Sequence, residues 1–147
     1  MTEERSWLRW SRLDKNLPGR LHPPKMPGDC GWDLECSESV TIRPGEAIDV
    51  PTNIAVALPK GTWGEIRARS SISRRGLQVD AGTIDNGYRG PLYALVRNMG
   101  TEECRITVGE RVAQMVLHPI VDVGSKETQA IPTDTERGTG GFGSTGR

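Results

Sequence analysis

Between residues 39 and 123, short apolar runs of Val, Ile and Leu are cut at close intervals by turn clusters: Arg43-Pro44-Gly45-Glu46, Leu58-Pro59-Lys60-Gly61, Asp85-Asn86-Gly87, Asn98-Met99-Gly100-Thr101 and Val108-Gly109-Glu110. That spacing predicts many short β-strands. Within residues 91–98, Leu92, Ala94 and Val96 fall on one face and Tyr93, Leu95 and Arg97 on the other, a period of two. No long window carries a helical stripe. One short helical turn is expected after Arg69, where Ser70 and Ser71 precede Ile72-Ser73-Arg74-Arg75 and Gly76 supplies a stop. Many strands without helices to cover them point to an all-β, closed or double-layered architecture such as a jelly roll.

A chain of 147 residues suits a single domain. The β domain is expected over residues 1–134, with residues 1–28 extended over its surface and residues 135–147 a flexible glycine-rich lid. Hydrophobic residues make up 35% and aromatics 5%, so a lone copy would bury a thin core and gain from apolar contact with further copies. Lys+Arg and Asp+Glu are both 19, leaving no basic excess to hold a nucleic acid, although a few arginines can still converge on a compact anion. The 3 cysteines cannot all pair within one chain, which suggests a reducing compartment. The N-terminus lacks the apolar run of a signal peptide, and no segment is apolar enough for a membrane span. A cytoplasmic location, with neither nucleic acid nor membrane as partner, is the resulting expectation.

Several stretches carry chemistry, each beside a plainer reading. The tail holds Arg137, Gly138, Gly140, Gly141, Phe142, Gly143, Ser144 and Thr145. Such a sequence suits a flexible end, but its exposed N–H groups, hydroxyls and guanidinium also suit phosphate oxygens, and Phe142 could stack on a base. It is neither a Rossmann loop, since no helix can follow Gly143, nor a Walker loop, since Ser144 stands where Lys is needed. Arg69-Ser70-Ser71 opens the helical turn, either as an ordinary cap or as an anion site. In the stretch from Gly82, Thr83 and Ile84 through Tyr88 to Gly90, Asn86-Gly87 signals a hairpin, so Asp85 is either turn chemistry or a carboxylate that orients a water. Asp33 is a turn acid or a holder of metal-bound water; Gln114 is exposed or bonded to phosphate. His22 and His118 are isolated, and the zinc-deaminase pattern is absent.

Taken in order, these segments resemble the five motifs of the trimeric dUTP diphosphatase family. The first is Gly31-Trp32-Asp33-Leu34, the second Arg69-Ser70-Ser71, the third spans Gly82 to Gly90, the fourth is Gly109-Glu110-Arg111-Val112-Ala113-Gln114, and the fifth runs from Arg137 to Gly146. The resemblance implies a β jelly roll assembled as a homotrimer with sites at subunit boundaries. It implies hydrolysis of dUTP to dUMP and pyrophosphate, which supports dTMP synthesis and keeps uracil out of DNA. Asp85 would activate water against the α-phosphorus. Arg69, Ser70, Ser71, Gln114, Arg137, Gly143, Ser144 and Thr145 would hold phosphates, while Val79, Gly82, Thr83, Ile84, Tyr88 and Phe142 would contact base and sugar. Mg²⁺ would ride on the triphosphate, with Asp33 acting through a water and no direct protein ligand.

Trp32 and Asp80 depart from the usual pattern, and the spacer between the second and third motifs is short, which bears on uracil selectivity. The nearest alternative is dCTP deaminase on the same fold, alone or combined with the diphosphatase activity. Leu95 stands where that family's catalytic Glu is expected, and a leucine cannot carry protons. A regulatory member of the family that binds an unknown protein partner is the other alternative, with Trp7 and Trp10 as its anchors.

Overall fold

The computed structural model describes residues 5–80 and 82–143. In chain order the elements are β1 (Arg9–Arg12), β2 (Leu21–His22), β3 (Gly31–Glu35), β4 (Val40–Ile42), β5 (Ala47–Pro51), β6 (Ile54–Ala57), β7 (Thr62–Arg67), α1 (Ser70–Ser73), β8 (Leu77–Asp80), β9 (Thr83–Ile84), β10 (Tyr93–Asn98), β11 (Cys104–Ile106) and β12 (Arg111–Pro119). Every ladder among the described residues is antiparallel. The largest sheet runs β2-β3-β12-β7-β9, a second runs β5-β10-β8, and the pairs β1-β6 and β11-β4 complete the set. This is the nearly all-β, jelly-roll-like arrangement expected from the spacing of runs and turns.

Glycine does specific work at the turns. Arg43-Pro44-Gly45-Glu46 places Pro second and Gly third, with Gly45 at φ +79° and the Glu46 N–H donating to the Arg43 carbonyl at 3.0 Å, the signature of a type II turn. The expected period of two holds on β10: Ala94 and Val96 are fully buried, while Tyr93 is exposed. One buried cluster joins the sheets, taking Val50 from β5, Ile54 from β6, Val96 from β10, Ile106 from β11, Leu34 from β3 and Met115 from β12. Each such side chain contributes roughly 1.5–3 kcal/mol relative to exposure. Asn98 is buried among them and fully used: its amide donates to the Ile42 and Glu102 carbonyls at 2.8 Å, and its oxygen accepts the Gly100 N–H at 2.9 Å.

The helical turn lies where it was expected, with Ile72 buried and Gly76 at φ +77° as its stop. Its cap is Arg69 rather than a serine, and no side chain bonds across the cap. The N-terminal segment is extended, with β1 laid along β6 so that Trp10 faces Val56. Asn53 pins it: its amide donates to the carbonyls of Asp14, Leu17 and Pro18 at 2.9, 3.2 and 3.0 Å, and its oxygen accepts the Asp14 N–H. Beyond β12, residues 120–139 are exposed and form neither strand nor helix.

Candidate active site

The centre of the largest sheet carries the first constellation. Asp33 on β3 lies directly opposite Gln114 on β12, and a bulge between Arg111 and Ala113 interrupts that ladder. The bulge explains why the adjacent residues Val112 and Ala113 are both fully buried, which regular alternation forbids. It also lets Arg111 reach the same carboxylate. The Asp33 oxygens lie 3.2 Å from Arg69 Nε and 3.1 Å from Arg111 Nη1, and Arg69 Nη1 donates to the Arg111 carbonyl at 3.1 Å. Gln114 Nε2 donates to the Ala68 carbonyl at 3.0 Å, and its Oε1 sits so close over Gly31 that a Cβ there would be 2.1 Å away. A side chain at position 31 would therefore push the Gln114 amide out of its place.

Gly31, Asp33, Arg69, Ser70 and Gln114 line a cavity of ≈ 500 Å³. Two guanidiniums held by one carboxylate, beside a hydroxyl and an amide, form a polar cradle suited to phosphate oxygens. Ser71, the next residue of α1, is exposed and does not line this cavity. Arg111 was missed as a site residue in the sequence. The signal was present in Val112-Ala113, two apolar residues in succession inside a strand with alternating character.

The second constellation sits at the sheet's other edge. The Ile66 N–H donates to the Gly82 carbonyl at 2.8 Å, and a Cβ on Gly82 would stand 2.6 Å from the Ile66 carbonyl oxygen. A glycine is needed for that approach. Next come Thr83 and Ile84 of β9, which pairs with β7 and not with the following strand, so the hairpin expected at Asn86-Gly87 does not form. The chain instead turns through Asp85-Asn86-Gly87-Tyr88, with the Tyr88 N–H on the Asp85 carbonyl at 3.0 Å. Asn86 is the reason: its amide donates to the Pro59 and Thr62 carbonyls at 2.9 and 2.8 Å, drawing the turn onto the β6–β7 connection.

Gly82, Thr83, Ile84, Asp85 and Tyr88 line a cavity of ≈ 260 Å³, closed on its far side by Tyr93 and Leu95 of β10 and Asp49 of β5. Asp85 is exposed, and its carboxylate has no hydrogen-bond or ion-pair partner among the described residues. It is free to accept a proton from a water. The Tyr88 hydroxyl donates to the Pro91 carbonyl at 2.8 Å, fixing the ring over the cavity. Asp49 reaches the cavity because it pairs with Leu95 across the ladder, a contact between strands far apart in sequence that nothing local announces. Val79 is not brought here: it pairs with Val96 and packs on the core, as alternation from exposed Gln78 requires.

None of the described tail residues lines either cavity. Arg137 Nε donates to the Gly140 carbonyl at 2.8 Å, Gly143 lies at φ +85°, and Phe142 is wholly exposed. Ser144 and Thr145 lie outside the described residues. The two cavities share no lining residue. Among the described residues, a single chain thus holds a carboxylate site and a polar, charge-balanced site that it does not itself join.

A family model described as dUTPase matches residues 18–146. A deoxyuridine 5'-triphosphate nucleotidohydrolase of Cutibacterium acnes is 43% identical, the match covering 88% of each chain. One of Clostridium tetani is 37% identical, covering 100% of both. Among solved structures, the dUTPase of Staphylococcus bacteriophage 80alpha with dUPNHPP superposes with a TM-score of 0.87 at 29% identity, covering 96% of this chain and 99% of that one.

Proposed function

The chain belongs to the dUTPase family, and from that premise we propose that it is a homotrimeric dUTP diphosphatase of the cytoplasm, releasing dUMP and pyrophosphate. The observation that carries this reading is the separation of the two cavities within one chain. Asp85 with Tyr88, and Arg69 with Ser70 and Gln114, are both formed and both open, yet belong to different cavities. Neighbouring copies in a trimer would bring one against the other. The exposed tail beyond β12 spans more than twenty residues, and at about 3.3 Å per extended residue it is long enough to cross onto another copy.

In the assembled site, Asp85 takes the proton of the attacking water while that water adds in line to the α-phosphorus. Gly82, Thr83 and Ile84 offer backbone groups to the base edge, and the Tyr88 ring packs under deoxyribose. Arg69, Ser70, Ser71 and Gln114 bind the phosphates, and Arg137, Gly143, Ser144, Thr145 and Phe142 close from the tail, with Phe142 on the base. Water is excluded when they close, which strengthens every charge–charge contact inside.

Mg²⁺ fits this arrangement as a companion of the triphosphate. It binds through one or two carboxylates, several waters and substrate phosphates, and Asp33, in the polar cradle, can hold such a water. When bound it neutralises phosphate charge. In this reading the substrate's oxygens supply the direct ligands. No helix among the described residues is long and apolar enough to cross a membrane.

The dCTP deaminase reading loses support from Leu95, which lines the Asp85 cavity with a side chain that cannot move protons. A panel of nucleotides tests the proposal. With Mg²⁺, purified protein should release pyrophosphate from dUTP while leaving UTP, dCTP and dTTP nearly untouched. Equal turnover of dCTP, or ammonia release, would overturn it.

A further inference from the structure

We propose that Lys25 is a phosphate-binding residue of this site, a role that rests on the dUTP reading and extends it to a loop outside the motifs. The charges lining the phosphate cavity are Lys25 and Arg69 against Asp29 and Asp33, so they cancel. Arg69 is committed to Asp33, 3.2 Å away. Lys25 has no hydrogen bond or ion pair among the described residues. Among the described residues it is therefore the one cation of this lining without a protein partner. A triphosphate brings more negative charge than one divalent ion removes, and it meets the carboxylate of Asp29 at the same rim. Without Lys25 that carboxylate would oppose the incoming phosphates.

The loop holds Lys25 in place before any ligand arrives. Pro23 and Pro24 precede it with restricted φ, and Met26-Pro27-Gly28-Asp29 follows as a type II turn. Gly28 lies at φ +90°, the Asp29 N–H donates to the Met26 carbonyl at 3.0 Å, and Asp29 Oδ2 accepts the Met26 N–H at 3.3 Å. On the other side, His22 pairs with Glu35 and ties β2 to β3. The braced loop fixes the backbone of Lys25 at the rim, so only its exposed side chain has to order on binding. Its ammonium, a point charge with three donors, accommodates phosphate oxygens in more orientations than a planar guanidinium does.

The test compares wild type with Lys25→Ala and Lys25→Arg. Inorganic triphosphate with Mg²⁺ is titrated calorimetrically, and KM for dUTP and the affinity for deoxyuridine are measured alongside. Lys25→Ala should weaken inorganic triphosphate about five- to tenfold and raise KM for dUTP in step, with kcat changed less than about twofold. Deoxyuridine, which carries no phosphate, should bind both proteins alike. Lys25→Arg should retain most of the affinity, and the Ala penalty should shrink as salt is raised. Unchanged triphosphate affinity in Lys25→Ala, or equal losses for triphosphate and deoxyuridine, would overturn the assignment. Should wild type fail to turn over dUTP, the functional reading falls, and the calorimetric comparison still decides Lys25.

Discussion

Arg111 and Gln114 stand three residues apart on β12, yet both serve the Asp33 side of the sheet, Arg111 Nη1 at 3.1 Å from the carboxylate and Gln114 directly across the ladder from it. Strict alternation would send residues three apart to opposite faces. The bulge at Val112 absorbs the extra residue and turns both inward to the same site. The fourth-motif arginine thereby joins Arg69 on one carboxylate, with Gln114 beside them bonded to the Ala68 carbonyl.

That convergence makes Asp33 the counter-charge of two guanidiniums, each about one-third exposed. Asp33→Ala should leave Arg69 and Arg111 facing each other without compensation. After discounting for solvent screening, the expected loss is about 1 kcal/mol, visible as a modest fall in Tm. KM for dUTP should rise as well, because Arg69 loses the partner that orients it. Unaltered KM alongside a lowered Tm would make Asp33 a structural residue only.

Asp85 is the carboxylate the mechanism places against water, and it carries no competing partner among the described residues. Asp85→Asn keeps the shape and the turn hydrogen bond, which uses the backbone carbonyl. Turnover should therefore drop about 10²–10⁴-fold while dUTP binding persists. Single-turnover kinetics with an equilibrium titration of the same variant separates the two effects. Retained turnover would remove Asp85 from the role of base.

Local physics made the β character legible. Leu92, Ala94 and Val96 alternate with Tyr93, Leu95 and Arg97 because a strand sends neighbours to opposite faces, and Pro44-Gly45 announces its turn because only Gly takes φ +79° without strain. Non-local pairing stayed hidden. Asn86-Gly87 reads as a hairpin, but two hydrogen bonds from Asn86 to the β6–β7 connection carry β9 onto β7. Asp49 joins the Asp85 cavity only through its register with Leu95, and Lys25 joins the phosphate cavity only through the fold of its loop. Asn53, at φ 59°, gave no sign that its side chain would fasten residues 14–18.

The tail contributes little to the β core, since residues 120–139 are exposed throughout. Deleting residues 137–147 should leave Tm within about 2 °C of wild type. Loss of the closing segment should lower kcat for dUTP by about a hundredfold. Phe142→Ala alone should cost less, and mainly in KM, because only base stacking is removed. Thermal melting and steady-state kinetics on the same preparations check both statements, and a large drop in Tm would assign the tail a structural role.

Cys36 provides a pH signature of the fold. It is fully buried with Sγ donating to the Glu38 carbonyl; burial pushes its thiol above the ordinary range, only partly opposed by the Glu38 backbone, while the charges of Glu110 and Glu38 add to the rise. The unfolded chain releases this proton near the ordinary thiol pKa of about 8.5, whereas the folded chain holds it to higher pH. Between those limits the unfolded state binds fewer protons, so stability falls as pH climbs through that range, and this group leaves stability flat below it. Urea denaturation of wild type and Cys36→Ala from neutral to mildly alkaline pH should give curves whose difference slopes downward only on the alkaline side. Thiol titration under native conditions should label exposed Cys30 first, half-buried Cys104 more slowly, and Cys36 only on unfolding. Rapid native labelling of Cys36 would mean that the end of β3 opens far more readily than its burial implies.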